Sequence, residues 1–296
     1  MRYCAYYQRT PVPADQDTII GYITFLARSI SANSIPGYLN IISLLSSAAG
    51  LPNPLAKNWE VNVLKRAISR LKGVPPVQKE PITIDMLLQM HKLLNFKTTN
   101  DCCFWLACLV AFYGFFRKST LLLKNDKTKT SEGICIKDIS IISDDAFCIS
   151  IRHSKTIQFG QRVLRVPFSR CTVRNLCPVR ALFNHLSINK MSADCALFSY
   201  KAGSVIKILT QSHFASRVKS LLNQSGFDSQ LISCHSFRRG GTSFAISCGL
   251  NPLQVKARGD WKSNAFEKYV FISDNSFLLT STALSDGVSK SVKQKH

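Results

Sequence analysis

Residues 233–270, SCHSFRRGGTSFAISCGLNPLQVKARGDWKSNAFEKYV, decide how the rest of this chain is read. His235 and Arg238 lie three apart, which on a helix sets an imidazole and a guanidinium on one face. Gly240 and Gly241 follow as a pair, and without a Cβ they permit another backbone to come close to the same helix. A Gly-Asp-Trp turn at 259–261 and a short amphipathic segment then add Trp261 and Tyr269. Taken singly these residues carry little: a lone H-x-x-R arises by chance, and a tyrosine on an amphipathic segment is ordinarily packing. The information lies in their order and spacing.

Composition sets the bounds on what that stretch can belong to. The chain has 296 residues, 46% of them hydrophobic, enough for one large or two ordinary domains with proper cores. Lysine and arginine number 38 against 17 acids, a formal charge of +21. A chain both this basic and this apolar is globular rather than disordered, with a surface suited to a polyanion. Ribosomal, histone-like and membrane-surface proteins share such a charge, so composition points to nucleic acid without identifying it. Eleven cysteines, an odd number, sit in apolar segments, as Cys102, Cys103 and Cys108 do. That suits reduced, buried thiols of an intracellular protein better than a disulfide framework. Cys171 and Cys177 lack a second ligand pair at finger spacing, so no metal site and no cofactor is expected. The opening residues MRYCAYYQRT hold no apolar run of the signal-peptide kind. The apolar run 102–116 falls short of the roughly 20 residues that cross a bilayer. It then meets Arg117 and Lys118, so it reads as a helix buried in a protein core, and no membrane partner is expected.

Working outward, residues 1–73 read as a small helical domain. Ile19, Ile23, Leu26 and Ile30 form one stripe, and Tyr38, Ile41, Leu45 and Ala49 a second between Pro36 and Gly50. Val61, Leu64, Ile68 and Leu71 form a third, with Lys65, Arg66, Arg70 and Lys72 on its other faces. The Gly- and Pro-rich stretch GVPPVQKEP ends the helix, and a linker is placed at 74–82. A helix follows from Thr83 and Asp85 through His91, which has no evident partner and reads as structural. From Ile134 to Phe168 the period changes to two, with Phe147, Ile149 and Ile151 alternating with Cys148 and Ser150, then Val163, Arg165 and Phe168. This predicts an antiparallel hairpin with Lys155 near its tip, where a lysine is normally just solvated. Pro178 opens a helix on which His185 reads as a surface residue, and 211–225 gives another closed by Gly226. A second domain is placed at 83–273, and a C-terminal segment ending in the basic tail SVKQKH at 274–296. The fold class is mainly α with a small antiparallel β-sheet.

The H-x-x-R of His235 and Arg238, the indole of Trp261 and the phenol of Tyr269 resemble the C-terminal signature of the tyrosine recombinases, the phage-type integrases. The wording HSFRRGGTSFA followed by GDWKSNAFEKYV is most similar to members carried by eukaryotic mobile elements of the Crypton and DIRS-like kinds. The resemblance extends upstream. Arg117, at the mouth of the apolar helix, stands where that family has its first catalytic arginine. Lys155, in Ser154-Lys155-Thr156, matches its mobile lysine, which enters the minor groove and serves as acid. It departs at two places. Thr120 stands where an acidic residue often follows the first arginine by three, and Trp261 and Tyr269 are eight apart, one fewer than in many bacterial and phage members. The resemblance implies a SAM-like helical core-DNA-binding domain followed by a catalytic domain, gripping double-stranded DNA as a homotetramer on two duplexes. Nuclear localisation goes with it.

Breaking a phosphodiester without metal asks for a nucleophile, for neutralisation of charge on the pentavalent phosphorus, and for a proton on the departing oxygen. By resemblance, Tyr269 attacks, and Arg117 and Arg238 hold the non-bridging oxygens in the bidentate manner that lysine cannot copy. His235 acts as base or hydrogen-bond partner, Lys155 as general acid, and Trp261 as an N–H donor. A phenol's pKa near 10 needs help, which nearby guanidiniums give. Arg239, Lys256, Arg258 and Lys262, with Lys65, Arg66 and Arg70 of the first domain, are assigned to phosphate contacts along the duplex. Two other readings remain open: a DNA-binding protein that has kept this fold and lost catalysis, and a type IB topoisomerase, which shares the chemistry.

Overall fold

In the computed structural model of the chain, which describes residues 2–73, 78–128, 132–157, 160–271, 281–282 and 284–286, the chain divides into two compact units, Met1–Val77 and Gln78–His296. Residues 74–77 of the expected linker and most of the C-terminal segment 274–296, its basic tail included, lie outside the described residues.

The first unit holds helices α1 (Arg2–Tyr6), α2 (Gln16–Ser29), α3 (Ile35–Ala48) and α4 (Trp59–Lys72). Side-chain caps set two of the starts: Asp15 accepts from the Thr18 amide at 2.7 Å, and Asn58 from that of Val61 at 3.1 Å. Ile19, Ile23 and Leu26 of α2 meet Val61 and Ile68 of α4 in a core completed by Ile35 and Leu39 of α3. The stripe expected on α3 is corrected. Tyr38 and Ile41 face outward while Ile35, Leu39 and Ser46 are buried. That helix is apolar on more than one face, so its periodicity alone offers two stripes, and packing against α2 selects one. Leu71, in the last turn of α4, is likewise 84% exposed.

The second unit is built around α6 (Thr99–Gly114), buried on every side from Cys102 to Phe112. A helix apolar all round has to be enclosed. Helix α5 (Ile84–Lys92) shares its core, and α7 (Lys118–Leu121) follows it directly. Strands β1 (Ile139–Ser143), β2 (Ala146–Ile151) and β3 (Leu164–Ser169) form an antiparallel sheet in that order. Phe147 pairs with Phe168 across β2 and β3, their rings stacked at 4.8 Å. The expected hairpin is β2–β3. Cys148 is buried along with its inward neighbours because β2 is the middle strand. Helix α8 (Pro178–Asn189) packs on α6. A second hairpin, β4 (Ser199–Ala202) and β5 (Val205–Ile208), went unforeseen. Helices α9 (Gln211–Gln224), α10 (Cys234–Ser247) and α11 (Pro252–Arg258) and a 3-10 turn over Asn264–Tyr269 complete the unit. No helix among the described residues is long and apolar enough to cross a membrane.

Two histidines differ from each other more than the sequence suggests. His185, expected at the surface, is fully buried: its Nε2 donates to the Leu197 carbonyl at 2.9 Å and its Nδ1 accepts from Asn189 at 3.0 Å. Burial pushes its pKa down to about 4. His91 stacks on Phe96 at 4.5 Å and meets Trp105 edge-on at 5.2 Å.

Candidate active site

Helix α10 begins at Ser233, whose hydroxyl accepts from the His235 amide at 3.2 Å while the Ser236 hydroxyl accepts from the Ser233 amide at 3.0 Å. This reciprocal cap fixes the turn that carries His235 and Arg238. The glycine pair does what the sequence predicts. A Cβ on Gly240 would run into the Ile82 carbonyl, and one on Gly241 into that of Phe112. Backbone therefore touches backbone on both sides of α10, and α10 sits down tightly on α6.

Arg238 points inward and is 2% exposed. Its Nη1 donates to the carbonyl of Phe115 and its Nη2 to that of Gly259 at 2.8 Å. Each carbonyl is presented by unusual backbone. Phe115 itself has φ 52° where the chain leaves α6, and Asp260, next to Gly259, has φ 55°. Left-handed non-glycine residues carry strain that their surroundings must hold in place. The indole of Trp261 lies against the guanidinium, whose carbon is 3.6 Å from the ring centroid. Gly259 makes room for that indole, since a Cβ there would overlap its six-membered ring. The half-buried Tyr269 ring is 5.1 Å from the same guanidinium carbon and 5.5 Å from Trp261, and the His235 ring is 6.4 Å from Tyr269. Ser243, one turn along α10, donates to the Arg239 carbonyl at 2.8 Å, accepts from the Phe271 amide at 2.8 Å and lies 3.4 Å from the Tyr269 carbonyl. The tyrosine backbone is thereby tied to the helix that carries the histidine and arginine.

Arg117 occupies the residue before α7 and lines a small cleft with Thr120, Ser154, Arg238, Arg258 and Asp260. Burial above all, then the Arg117 charge, pushes the Arg238 pKa down to about 9, with Tyr269 and Asp260 acting in the other direction. His235 is held below its ordinary value by partial burial and by the cations of Arg238, Lys118 and Arg117. Guanidiniums confined together and partly stripped of water favour an anion between them. The free donors agree: Arg238 Nε and Trp261 Nε1 are buried and have no hydrogen-bond partner among the described residues.

Lys155 is exposed in a turn closed by main-chain bonds between Ser154 and Ile157 at 3.1 and 3.0 Å. Thr156 beside it donates to one carboxylate oxygen of Asp260, and Arg162 donates to the other. Burial alone would raise the Asp260 pKa. The hydrogen bonds from Thr156 and Arg162, with the charges of Arg162 and Arg117, hold it below the usual carboxylate value. Sequence reasoning singled out neither Asp260, Thr156, Arg162 nor Phe115. The available signal was an acid, in a chain poor in acids, set inside the basic run between Lys256 and Lys262.

Of the side chains assigned to phosphate contacts, Lys65, Arg66 and Arg70 line one open groove of the first unit with Pro36, Asn62 and Ser69. Lys262 is exposed, and Lys256 donates to Asn264 at 3.3 Å. Arg239 and Arg258 are bonded to the protein's own main chain. Arg239 is buried, with Nη1 on the Lys79 carbonyl at 2.5 Å and its guanidinium against the Phe271 ring. Arg258 donates to the carbonyls of Tyr113 at 2.6 Å and Pro167 at 2.9 Å. Both answer main-chain acceptors on segments distant in sequence, which no charge pattern could reveal.

No family model matches the chain. It is 27% identical over 269 residues to an integrase/recombinase xerD homolog of Selenomonas ruminantium, a match covering 88% of this chain and 74% of that protein. Among solved structures, the Tn1549 transposon integrase in complex with circular intermediate DNA matches with a TM-score of 0.56 at 10% identity, covering 92% of this chain and 86% of that one. XerH site-specific recombinase bound to palindromic difH substrate matches at 0.55 and 10%, covering 92% and 70%. XerA recombinase matches at 0.51 and 15%, covering 95% and 87%. The structural likenesses show the fold, a mainly helical one with small antiparallel sheets that is shared with the catalytic domains of tyrosine recombinases. With the sequence match they support a relation to that family.

Proposed function

We propose that this chain is a DNA strand-exchange recombinase that cuts and rejoins duplex DNA through a 3′-phosphotyrosyl intermediate. The observation that carries the reading is the placing of Trp261 and Tyr269 at 3.6 and 5.1 Å from the buried guanidinium of Arg238, with the His235 ring 6.4 Å from that of Tyr269. The Tyr269 oxygen attacks the scissile phosphorus, its proton passes to His235, and the bond from phosphorus to the 5′ oxygen breaks as Lys155 gives that oxygen a proton. One phosphodiester replaces another, so the bond energy is kept for rejoining. Arg117 and Arg238, with the indole N–H, meet the charge that grows on the non-bridging oxygens. These side chains supply all three services, so the reading calls for no metal ion. Lys65, Arg66, Arg70, Lys256 and Lys262 are its contacts to the phosphate backbone. Origin in a eukaryotic mobile element of the Crypton or DIRS-like kind, a nuclear site of action and a tetramer on two duplexes belong to the same proposal, on the strength of the motif wording.

Nicked suicide duplexes, incubated with the protein in EDTA, test it. A covalent protein–DNA adduct that disappears in Tyr269→Phe is expected. Duplex binding with no adduct from any candidate element terminus would leave a DNA-binding protein that keeps the fold without the reaction.

A further inference from the structure

We propose that Asp260 is a positioning residue that latches the Lys155 turn to the wall of the arginine cleft, an inference that rests on the strand-exchange reading for what Lys155 does. A general acid has to be within hydrogen-bond reach of the oxygen it protonates. Lys155 sits in an exposed turn between β2 and β3, so the reach of its ammonium is set by where the backbone beneath it is placed. The reciprocal Ser154 and Ile157 bonds and the 2.9 Å contact between the Ser154 and Thr156 hydroxyls shape the turn, and the buried Ile157 side chain seats its far end. Asp260 adds a polar attachment to the cleft wall. One oxygen accepts from the Thr156 hydroxyl and the other from Arg162, so the lysine turn and the approach to β3 are held by a single carboxylate.

The same residue belongs to the arginine cage. It stands between Gly259, whose carbonyl holds Arg238, and Trp261, which lies against that guanidinium. Among the described residues lining the cleft it is the acidic one, while Thr120 contributes a neutral wall. Its side chain is 13% exposed and that of Arg162 39%, so the carboxylate is shielded while solvent still screens its ion pair in part. Its left-handed backbone, φ 55°, is one that aspartate and asparagine tolerate and most residues do not. The lysine turn and the arginine cage are thus coupled through one side chain.

Asp260→Asn keeps the size and the backbone tolerance and removes the charge, and Thr156→Val removes the hydroxyl with little change of shape. Two measurements decide. Amide exchange at Ile157, whose N–H closes the turn, is expected to quicken about tenfold in either variant if the latch holds the turn. Single-turnover cleavage is then compared on nicked duplexes carrying oxygen or sulfur at the bridging 5′ position, because a thiolate leaves without a proton. Cleavage of the oxygen substrate is expected to fall by about tenfold or more, and that of the sulfur substrate by less than about threefold. Unchanged exchange overturns the latch, and equal losses on both substrates overturn its action through Lys155. If the unsubstituted protein forms no adduct with either duplex, the strand-exchange reading fails, and Ile157 exchange still decides whether Asp260 holds the turn.

Discussion

Arg238 is a cation placed where only its geometry justifies the cost of burying it. Two carbonyls on different elements and an indole face use up two edges of the guanidinium, leaving Nε with no partner among the described residues. An ammonium cannot span both carbonyls and still offer a donor to a phosphate. Arg238→Lys is therefore expected to lower single-turnover adduct formation by about 10²–10³-fold, the loss typical of a preorganised oxyanion donor, with unchanged circular dichroism. The neighbouring imidazole sets the pH response. His235 acts as a base only when neutral, and burial with three nearby cations keeps it neutral to lower pH than a free histidine. Activity should thus hold as pH falls through 6.5 and decline only below it, a limb that adduct rates from pH 8 to 5 would trace. His185 shows the same sign in stability. Its folded pKa of about 4 lies below the ordinary 6.5, so the unfolded chain binds the extra proton, and stability present above pH 6.5 is lost as pH falls towards 4. The ring resonances of His185 should stay flat down to about pH 5 in a fold that is still native. At this scale His235, Arg238, Trp261 and Tyr269 were legible because order and spacing alone mark them. Asp260 was not, since its partners lie 104 and 98 residues away. His185 was misplaced, and the main-chain bonds of Arg239 and Arg258 went unseen, because a basic residue carries no mark of the carbonyl it will meet.

Among the elements, α6 and α10 decide whether the site exists. Their approach is limited by backbone atoms, with Gly241 facing the Phe112 carbonyl, so a methyl group there has nothing soft to displace. Gly241→Ala is expected to destabilise the second unit by about 1–3 kcal/mol, as overpacking does, and to cost adduct formation even below the unfolding transition. Urea titration alongside adduct rates would check both. Gly249→Ala, at a left-handed position with no atom crowding its Cβ, should destabilise through strain alone and leave adduct formation at low denaturant nearly intact. The elements that were legible are those whose pattern admits one answer. A fifteen-residue apolar run can only be enclosed, and the period-two stretch gave β2 and β3. Helix α3 was rotated because it is apolar on two faces. The β4–β5 hairpin was missed because each strand has four residues, although Gly203, at φ 65° before Ser204, joins Ala202 to Val205 with the two-residue turn that marks such hairpins.

Over the whole molecule, an excess of 21 positive charges becomes informative once the structure separates cations that face outward from cations bonded to the protein itself. Each lysine or arginine that neutralises a phosphate releases a condensed counterion, steepening the dependence of log K on log salt by about 0.9 per contact. Lys65, Arg66 and Arg70 line one open groove on the first unit, and their guanidinium and ammonium groups have no ion-pair partner among the described residues. Replacing all three with alanine should flatten the salt slope by about 2 to 3 and weaken binding alike on every duplex sequence, because phosphates carry no base identity. Arg239→Met and Arg258→Met are expected to behave in the opposite way, with the salt slope unchanged and the urea midpoint lowered, since each guanidinium already answers main-chain carbonyls. Fluorescence anisotropy over a salt series with one duplex, read beside urea titrations of the same proteins, separates the two classes. A triple variant that keeps the full slope would turn the groove away from DNA. An Arg258→Met variant that flattens the slope without losing stability would mean that this guanidinium leaves its carbonyls for phosphate when duplex is bound.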